Sequence, residues 1–250
     1  MQTYQALRET FQDQGFLHLP GFADPKGMER IEAEITRVVT DVVPGLAKNV
    51  AMYEDYDRPE SLKQVNVPPD QSPNLAELGQ SEQFLGLAQA LLGEEARPQS
   101  IELFIKPPLL GTPTPPHQDG YYFCLQPNHA LTAWLALDDM DEENGTLHYV
   151  AGSHKKGVLP HNPSQVLGFS QGVNPEALAQ AGDETPCPLR RGDLLVHHSL
   201  TIHRAAGNPS PRLRRALAFV YYGRSAKVDP AQQRRYQASV DAQQKAIGVA

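Results

Sequence analysis

From about residue 98 onward the chain breaks into short apolar or alternating runs, and this limits its fold more than any other feature. The runs are Ile101–Ile105, Leu131–Leu137, Thr146–Val150, Asp193–His197 and Ala216–Tyr222. Turn clusters such as Pro107-Pro108, Asp141–Gly145 and Asn208-Pro-Ser-Pro separate them. Many short strands at this spacing predict a sandwich or barrel-like β core. Proline points the same way. It supplies 22 of 250 residues, against roughly 5% in an average chain, which favours turns and broken extended segments over a helical bundle.

The first 97 residues read mainly as helix. Tyr4 to Asp13 predicts a short helix that stops near Gly15, and Phe16-Leu-His-Leu alternates like a strand. Asp24-Pro25 offers an N-cap followed by proline at the first helical position. From Met28, the apolar positions Ile31, Ile35, Val38, Val39 and Val42 form one stripe until Pro44 ends it. Ser81 opens another helix with Phe84, Leu85, Ala88, Leu91 and Leu92 inward and Gly93 as its stop. Residues 44–75 read as loops with one short helix at most. The tail from Asp229 is polar and Gln-rich and reads as a peripheral helix. The expectation is a single domain over residues 1–250, with helical support at 1–97, a β core at 98–224 carrying the chemistry, and a polar tail at 225–250.

Charge and cysteine content exclude several classes. The net charge is −7, and the one dense basic cluster, Arg212, Arg214 and Arg215, is too short for a nucleic-acid tract. Cys124 and Cys187 make no disulfide framework and fit a reducing compartment. The N-terminus has no apolar signal region, and no stretch approaches 18 apolar residues. A soluble, cytoplasmic protein is expected, with a small-molecule substrate and neither nucleic acid nor membrane as partner.

His117-Gln-Asp119 is the first chemical candidate. In a strand, residues i and i+2 share a face, so an imidazole and a carboxylate can converge on one ion. The pair alone is a weak signal, and a third ligand is needed; His197, His198 and His203 are the candidates. Two histidines and one carboxylate on one face of an octahedron leave three positions open, the arrangement of non-haem Fe(II) oxygenases. His197 and His198 are neighbours of opposite facing, which reads as one core and one solvated histidine. Arg214, eleven residues beyond His203, begins an apolar strand, and a buried guanidinium there could clamp a carboxylate. Alternation groups Arg214 with Ala216, Ala218 and Val220, and Arg215 with Leu217, Phe219 and Tyr221. Periodicity does not choose between the two arginines, and Arg212 reads as a surface charge.

The segments PPHQDGYYF, AWLALDDMDEENGTLHYVAGSHKKG and RGDLLVHHSLTIHRAAGNPSPRLRRALAF, in that order, resemble the phytanoyl-CoA dioxygenase family of Fe(II)/2-oxoglutarate oxygenases. The opening QGFLHLPGF is similar to that family's start, so the likeness spans most of residues 10–222. It implies a double-stranded β-helix, a cupin-like jelly-roll barrel flanked by helices. It also implies Fe(II) held by His117, Asp119 and His203, O2 as oxidant, and 2-oxoglutarate paired through its far carboxylate with Arg214. By the same resemblance Trp134, Lys106 and Lys63 fall near the 2-oxoglutarate site. Two positions depart from the pattern: Ala205 stands where relatives often have Ser, and Glu102 where they tend to have an uncharged residue. Asn144-Gly145 and Gly152-Ser-His154 read as structural turns. Tyr121, Tyr122 and Phe123, directly after the ligand motif, are the candidate substrate wall. The implied activity is hydroxylation of a small organic substrate with release of succinate and CO2. Its rivals are a cupin-like metal isomerase, a 2-oxoglutarate-independent dioxygenase, and a non-catalytic binding protein on the same fold. Asp119 argues against a halogenase of this kind, which vacates the carboxylate position for halide.

Overall fold

The computed structural model describes residues 4–246; the ends of the expected 1–250 domain, residues 1–3 and 247–250, lie outside the described residues. In chain order the strands are β1 (Phe16–Leu19), β2 (Ala51–Tyr53), β3 (Leu62–Asn66), β4 (Ala96–Lys106), β5 (Thr114–His117), β6 (Leu125–Gln126), β7 (Ala130–Ala136) and β8 (Leu147–Val150). They continue with β9 (His161–Val166), β10 (Phe169–Val173), β11 (Glu184–Cys187), β12 (Leu194–His198), β13 (His203–Ala205), β14 (Arg214–Gly223) and β15 (Lys227–Val228). The helices are α1 (Tyr4–Gln14), α2 (Pro25–Arg37), α3 (Pro73–Gln80), α4 (Leu87–Leu92), α5 (Asp119–Phe123), α6 (Pro175–Ala179) and α7 (Pro230–Ala246).

Two antiparallel sheets face each other. The larger has the order β1-β12-β7-β14-β4-β3-β2, the smaller β11-β8-β13-β5. Because side chains alternate along a strand, each strand of the large sheet sorts its residues between two environments. Ile101, Leu103, Ile105, Leu131, Leu135, Leu217 and Phe219 point outward and pack with Met28, Ile31, Ile35, Leu75, Phe84, Leu87 and Leu91 of the helical layer. Trp134, Ala136, Leu195, Ala216 and Ala218 point inward and pack with Leu147, Tyr149, Leu189 and Ala205 from the opposing sheet side. This mainly β architecture with flanking helices is the expected fold class. Between the sheets a cavity forms, with Ala218 and Trp134 of the inner face in its wall.

The helical layer follows its sequence signals. Asp24 caps α2 by accepting from the Gly27 amide at 2.6 Å, with Pro25 at the first turn. The apolar stripe continues beyond α2 through a π-helical turn at Val38–Val42. Gly93 ends α4 at φ +72°, a conformation that favours glycine.

Three expectations need correction. The first 97 residues contribute more strand than expected: besides β1, which was read as a strand and pairs with β12, β2 and β3 extend the edge beyond β4. Residues 44–75 were expected as loops because Ala51–Tyr53 and Leu62–Asn66 are too short and too polar to show alternation; pairing with β4 overrides that local weakness. The polar tail is also more than peripheral. The side chains of Gln243 and Ser239 on α7 bond to the β9–β10 hairpin, and Tyr236, Val240 and Gln243 line the cavity.

Candidate metal centre and co-substrate cavity

His117 ends β5, Asp119 begins α5, and His203 begins β13, directly opposite His117 in the sheet register. Gln118 between the first two is extended, so the i, i+2 facing holds although the chain turns helical at Asp119. One ligand atom from each of the three lies within 4.8 Å of the others. Asp119 Oδ1 is 3.5 Å from His117 Nε2 and 3.6 Å from His203 Nε2.

The backbone orients both rings. His117 Nδ1 bonds the Pro115 carbonyl at 2.8 Å, and His203 Nδ1 bonds the Thr201 carbonyl at 3.0 Å. Each Nδ1 therefore carries the proton, and each Nε2 lone pair faces the centre. Burial, reinforced by the neighbouring imidazoles, holds the His203 pKa well below its ordinary value, so the ring is neutral and fit to ligate. Burial alone would raise the Asp119 carboxyl. The surrounding imidazoles, His203 first, together with the His197 N–H, outweigh it and hold the carboxyl well below the usual carboxylate range.

Asp119 is itself clamped. Its Oδ2 accepts from Thr132 Oγ1 at 2.8 Å and from His197 Nε2 at 3.0 Å, leaving Oδ1 for the centre. His197 Nδ1 in turn accepts from the Tyr149 hydroxyl at 2.8 Å. Of the adjacent histidines, His197 faces inward and is 1% exposed. The other, His198, is half-buried beside Phe11 and His154 rather than solvated, because α1 and the loop at His154 cover that face. The Tyr149–His197–Asp119 chain was not legible in the sequence; the alternation that puts His197 beside Thr132 across β12 and β7 is its only trace. Gln118, invisible as a functional residue, is fully buried and ties Leu200, Gly157 and Leu159 together under the ligand motif.

Arg214 enters the cavity from β14 with Ala218 and Val220, whereas Arg215 lies on the other face, bonded to Asp138 and Glu32. Arg214 is 3% exposed, lies 5.2 Å above the Trp134 ring, and donates twice to the Gly145 carbonyl. Gly145 adopts φ +85°, and a Cβ there would come within 2.6 Å of the Ala206 carbonyl, so glycine is required to present that acceptor. Among the described residues no carboxylate pairs with Arg214, and burial lowers its pKa to about 9. Lys106, its register partner on β4, is pushed down to about 6 by burial and then by the like charges of Arg214 and Lys63. Lys63 bonds Thr112 at 2.7 Å and Glu54 at 3.3 Å. Three buried basic side chains with one carboxylate between them form a site for an anion.

The triad, Arg214, Trp134, Lys106, Lys63, Tyr122 and Phe123 all line one cavity of about 320 Å³. Tyr121, expected in the substrate wall, is not among the lining residues and stacks on His161 at 4.1 Å. The helical turn of α5 sends the three successive aromatics in different directions. Arg212 is a surface charge paired with Asp141.

The donor set fits a metal. Two neutral imidazoles and one carboxylate, with the other carboxylate oxygen and both Nδ1 atoms committed elsewhere, suit non-haem Fe(II) with open positions. The anion site beside it fits the far carboxylate of a dicarboxylate co-substrate.

Known proteins with these features are related to this chain. Residues 11–216 match the family described as phytanoyl-CoA dioxygenase. The protein named "Probable alpha-ketoglutarate-dependent hypophosphite dioxygenase" of Stutzerimonas stutzeri is 26% identical over 84% of this chain and 75% of its own. Peroxisomal phytanoyl-CoA dioxygenase of Rattus norvegicus is 26% identical over 87% and 68%. Among solved structures, the epimerase SnoN in complex with Fe3+, alpha ketoglutarate and nogalamycin RO superimposes with a TM-score of 0.71 at 26% identity, covering 91% of this chain and 86% of that one. EctD from S. alaskensis, with 2-oxoglutarate and 5-hydroxyectoine, shares the fold with a TM-score of 0.76 at 18% identity over 89% and 77%. The match over residues 11–216 and the shared architecture agree, and this chain belongs to the phytanoyl-CoA dioxygenase family.

Proposed function

We propose that this protein is an Fe(II)- and 2-oxoglutarate-dependent oxygenase that hydroxylates a small organic substrate. The observation that carries this reading is the convergence of His117, Asp119, His203 and the carboxylate-free Arg214 on one cavity. When bound, iron and 2-oxoglutarate supply the oxidation: O2 is consumed, 2-oxoglutarate becomes succinate and CO2, and one oxygen atom enters a substrate C–H bond.

The residues of this chain hold and shield that reaction. His117, Asp119 and His203 hold the metal and leave adjoining positions open. Arg214 anchors the far carboxylate of 2-oxoglutarate, and the Gly145 carbonyl and Trp134 face fix the guanidinium so that it docks without reorganising. Lys106 takes up a proton as the anion arrives, since its neutral state reflects burial beside two cations. The β9–β10 hairpin and α7 supply one wall of the cavity, with Phe169 and Tyr236 among its lining residues.

The cavity lies near the lower edge of the roughly 300–1,000 Å³ usual for small-molecule sites. Two ligands must share it, which favours a small substrate over a coenzyme A thioester held inside. The test is succinate formation from 2-oxoglutarate with Fe(II), ascorbate and air. Turnover that requires all three and is lost in Asp119→Ala supports the reading; succinate formed equally without iron refutes it. The related SnoN and SnoK are an epimerase and a carbocyclase, so mass spectrometry of the product decides hydroxylation by the gain of one oxygen atom.

A further inference from the structure

The cavity is electrically divided. Arg214, Lys63 and the basic Lys106 line one half, and Glu102 stands on the same inner face of β4, four residues and roughly 13 Å from Lys106. Its carboxylate accepts from Ser100 Oγ at 2.9 Å and from Gln64 Nε2 at 3.3 Å. Among the described residues no Lys, Arg or His pairs with it. Gln64 is 7% exposed; with its amide nitrogen committed to Glu102, its Oε1 has no hydrogen-bond partner. The Tyr122 and Tyr236 rings, 5.6 Å apart, line the cavity as well.

A half-buried carboxylate facing the cavity without a cation, beside an orphaned amide oxygen and two aromatic rings, is a site that lacks positively charged N–H donors. We propose that Glu102 and Gln64 anchor an ammonium group of the substrate, which makes the substrate a small amine. The inference rests on the oxygenase reading of this cavity. Once 2-oxoglutarate occupies the cationic half, Glu102 is the unpaired charge that remains, and a cationic substrate completes the balance. Burial raises the Glu102 pKa to about 7, and the Asp119 charge adds to the rise. An ammonium there restores the ionised carboxylate.

The test uses shape-matched probes: benzylamine against benzyl alcohol, and butylamine against butan-1-ol. Each is titrated by ligand-observed NMR into the full chain loaded with Zn(II) and 2-oxoglutarate, which cannot turn over, and into the metal-free chain. A charge-assisted hydrogen bond to a half-buried carboxylate predicts at least about a tenfold preference for each amine. E102Q should reduce that preference to within about twofold while calorimetry shows metal and 2-oxoglutarate still bound. Equal affinities in the wild type, a preference for the alcohols, no saturable amine binding, or a preference that survives E102Q each overturns the anchor. The wild-type comparison decides the matter even if E102Q does not fold. Loss of the oxygenase reading has a separate signature: calorimetry detects no metal or 2-oxoglutarate binding, while the metal-free chain reports the amine preference by itself.

Discussion

At the centre, Asp119 divides its two oxygens between different tasks, one facing the histidine pair and the other held by Thr132 and His197. That division orders the expected losses. His117→Ala, Asp119→Ala or His203→Ala should abolish stoichiometric Fe(II) binding, read by metal analysis after anaerobic loading. His197→Phe should weaken iron by about 10- to 100-fold, as expected when a hydrogen-bond partner of a ligand is removed. His198→Phe should leave it unchanged; an equal loss there would displace His203 as the distal ligand. Arg214→Ala strips a charge-assisted fork from a buried carboxylate, a cost of about 2–5 kcal/mol, and should raise the 2-oxoglutarate constant roughly 30-fold or more. Lysine should rescue it only partly, since a point charge lacks the fork. Arg215→Ala should lower stability through Asp138 and Glu32 and leave 2-oxoglutarate affinity alone. The HxD motif and the arginine strand were legible because each is local; the clamp on Asp119 was not, because Tyr149, Thr132 and His197 come from three separate strands.

The elements are held in place by a few buried polar ties. On α2, Glu34 accepts from Arg37 at 2.7 Å, Ser72 at 2.7 Å and Asn74 at 3.0 Å, pinning the helix to the start of α3. The Arg37 guanidinium first, then Ser72 and Asn74, lower its pKa from 4.5 to about 2 against the opposing effect of burial. A depressed carboxylate stabilises the fold fully above its unfolded value and loses that contribution as pH falls through the folded one. Between pH 5 and 2 the wild type should therefore lose about 2 kcal/mol that Glu34→Gln does not lose, measured by urea unfolding across that range. Parallel acid profiles would contradict it. Helix α2 was readable from its cap and its stripe, both encoded within a dozen residues. Strands β2 and β3 were not, since β3 depends on pairing with β4 and β2 on pairing with β3. Nothing in the tail composition announced that Tyr236 and Gln243 line the cavity, because Gln243 is held there by the β9–β10 hairpin.

Taken whole, the molecule is a sheet pair whose outer face is packed against helices and whose inner face borders one cavity that holds the histidine–aspartate cluster. Binding to the folded state alone should therefore stabilise it. Fe(II) at 100 times its dissociation constant contributes about 2.7 kcal/mol, which for a chain of this size raises Tm by roughly 5–10 °C under anaerobic conditions. Asp119→Ala should show no such rise. The β core was legible from turn spacing, and the family resemblance gave its chemistry; the division of the cavity between a cationic half and Glu102 became visible only once β3, β4 and β14 were seen side by side. The central claim is that the histidine–aspartate centre and Arg214 hold one 2-oxoglutarate between them. Anaerobic calorimetry of 2-oxoglutarate titrated into the protein, with and without Fe(II), tests it most directly. The account predicts one site per chain whose affinity falls sharply when iron is withheld or Asp119 is replaced by Ala. Equal 2-oxoglutarate affinity with and without iron would contradict it.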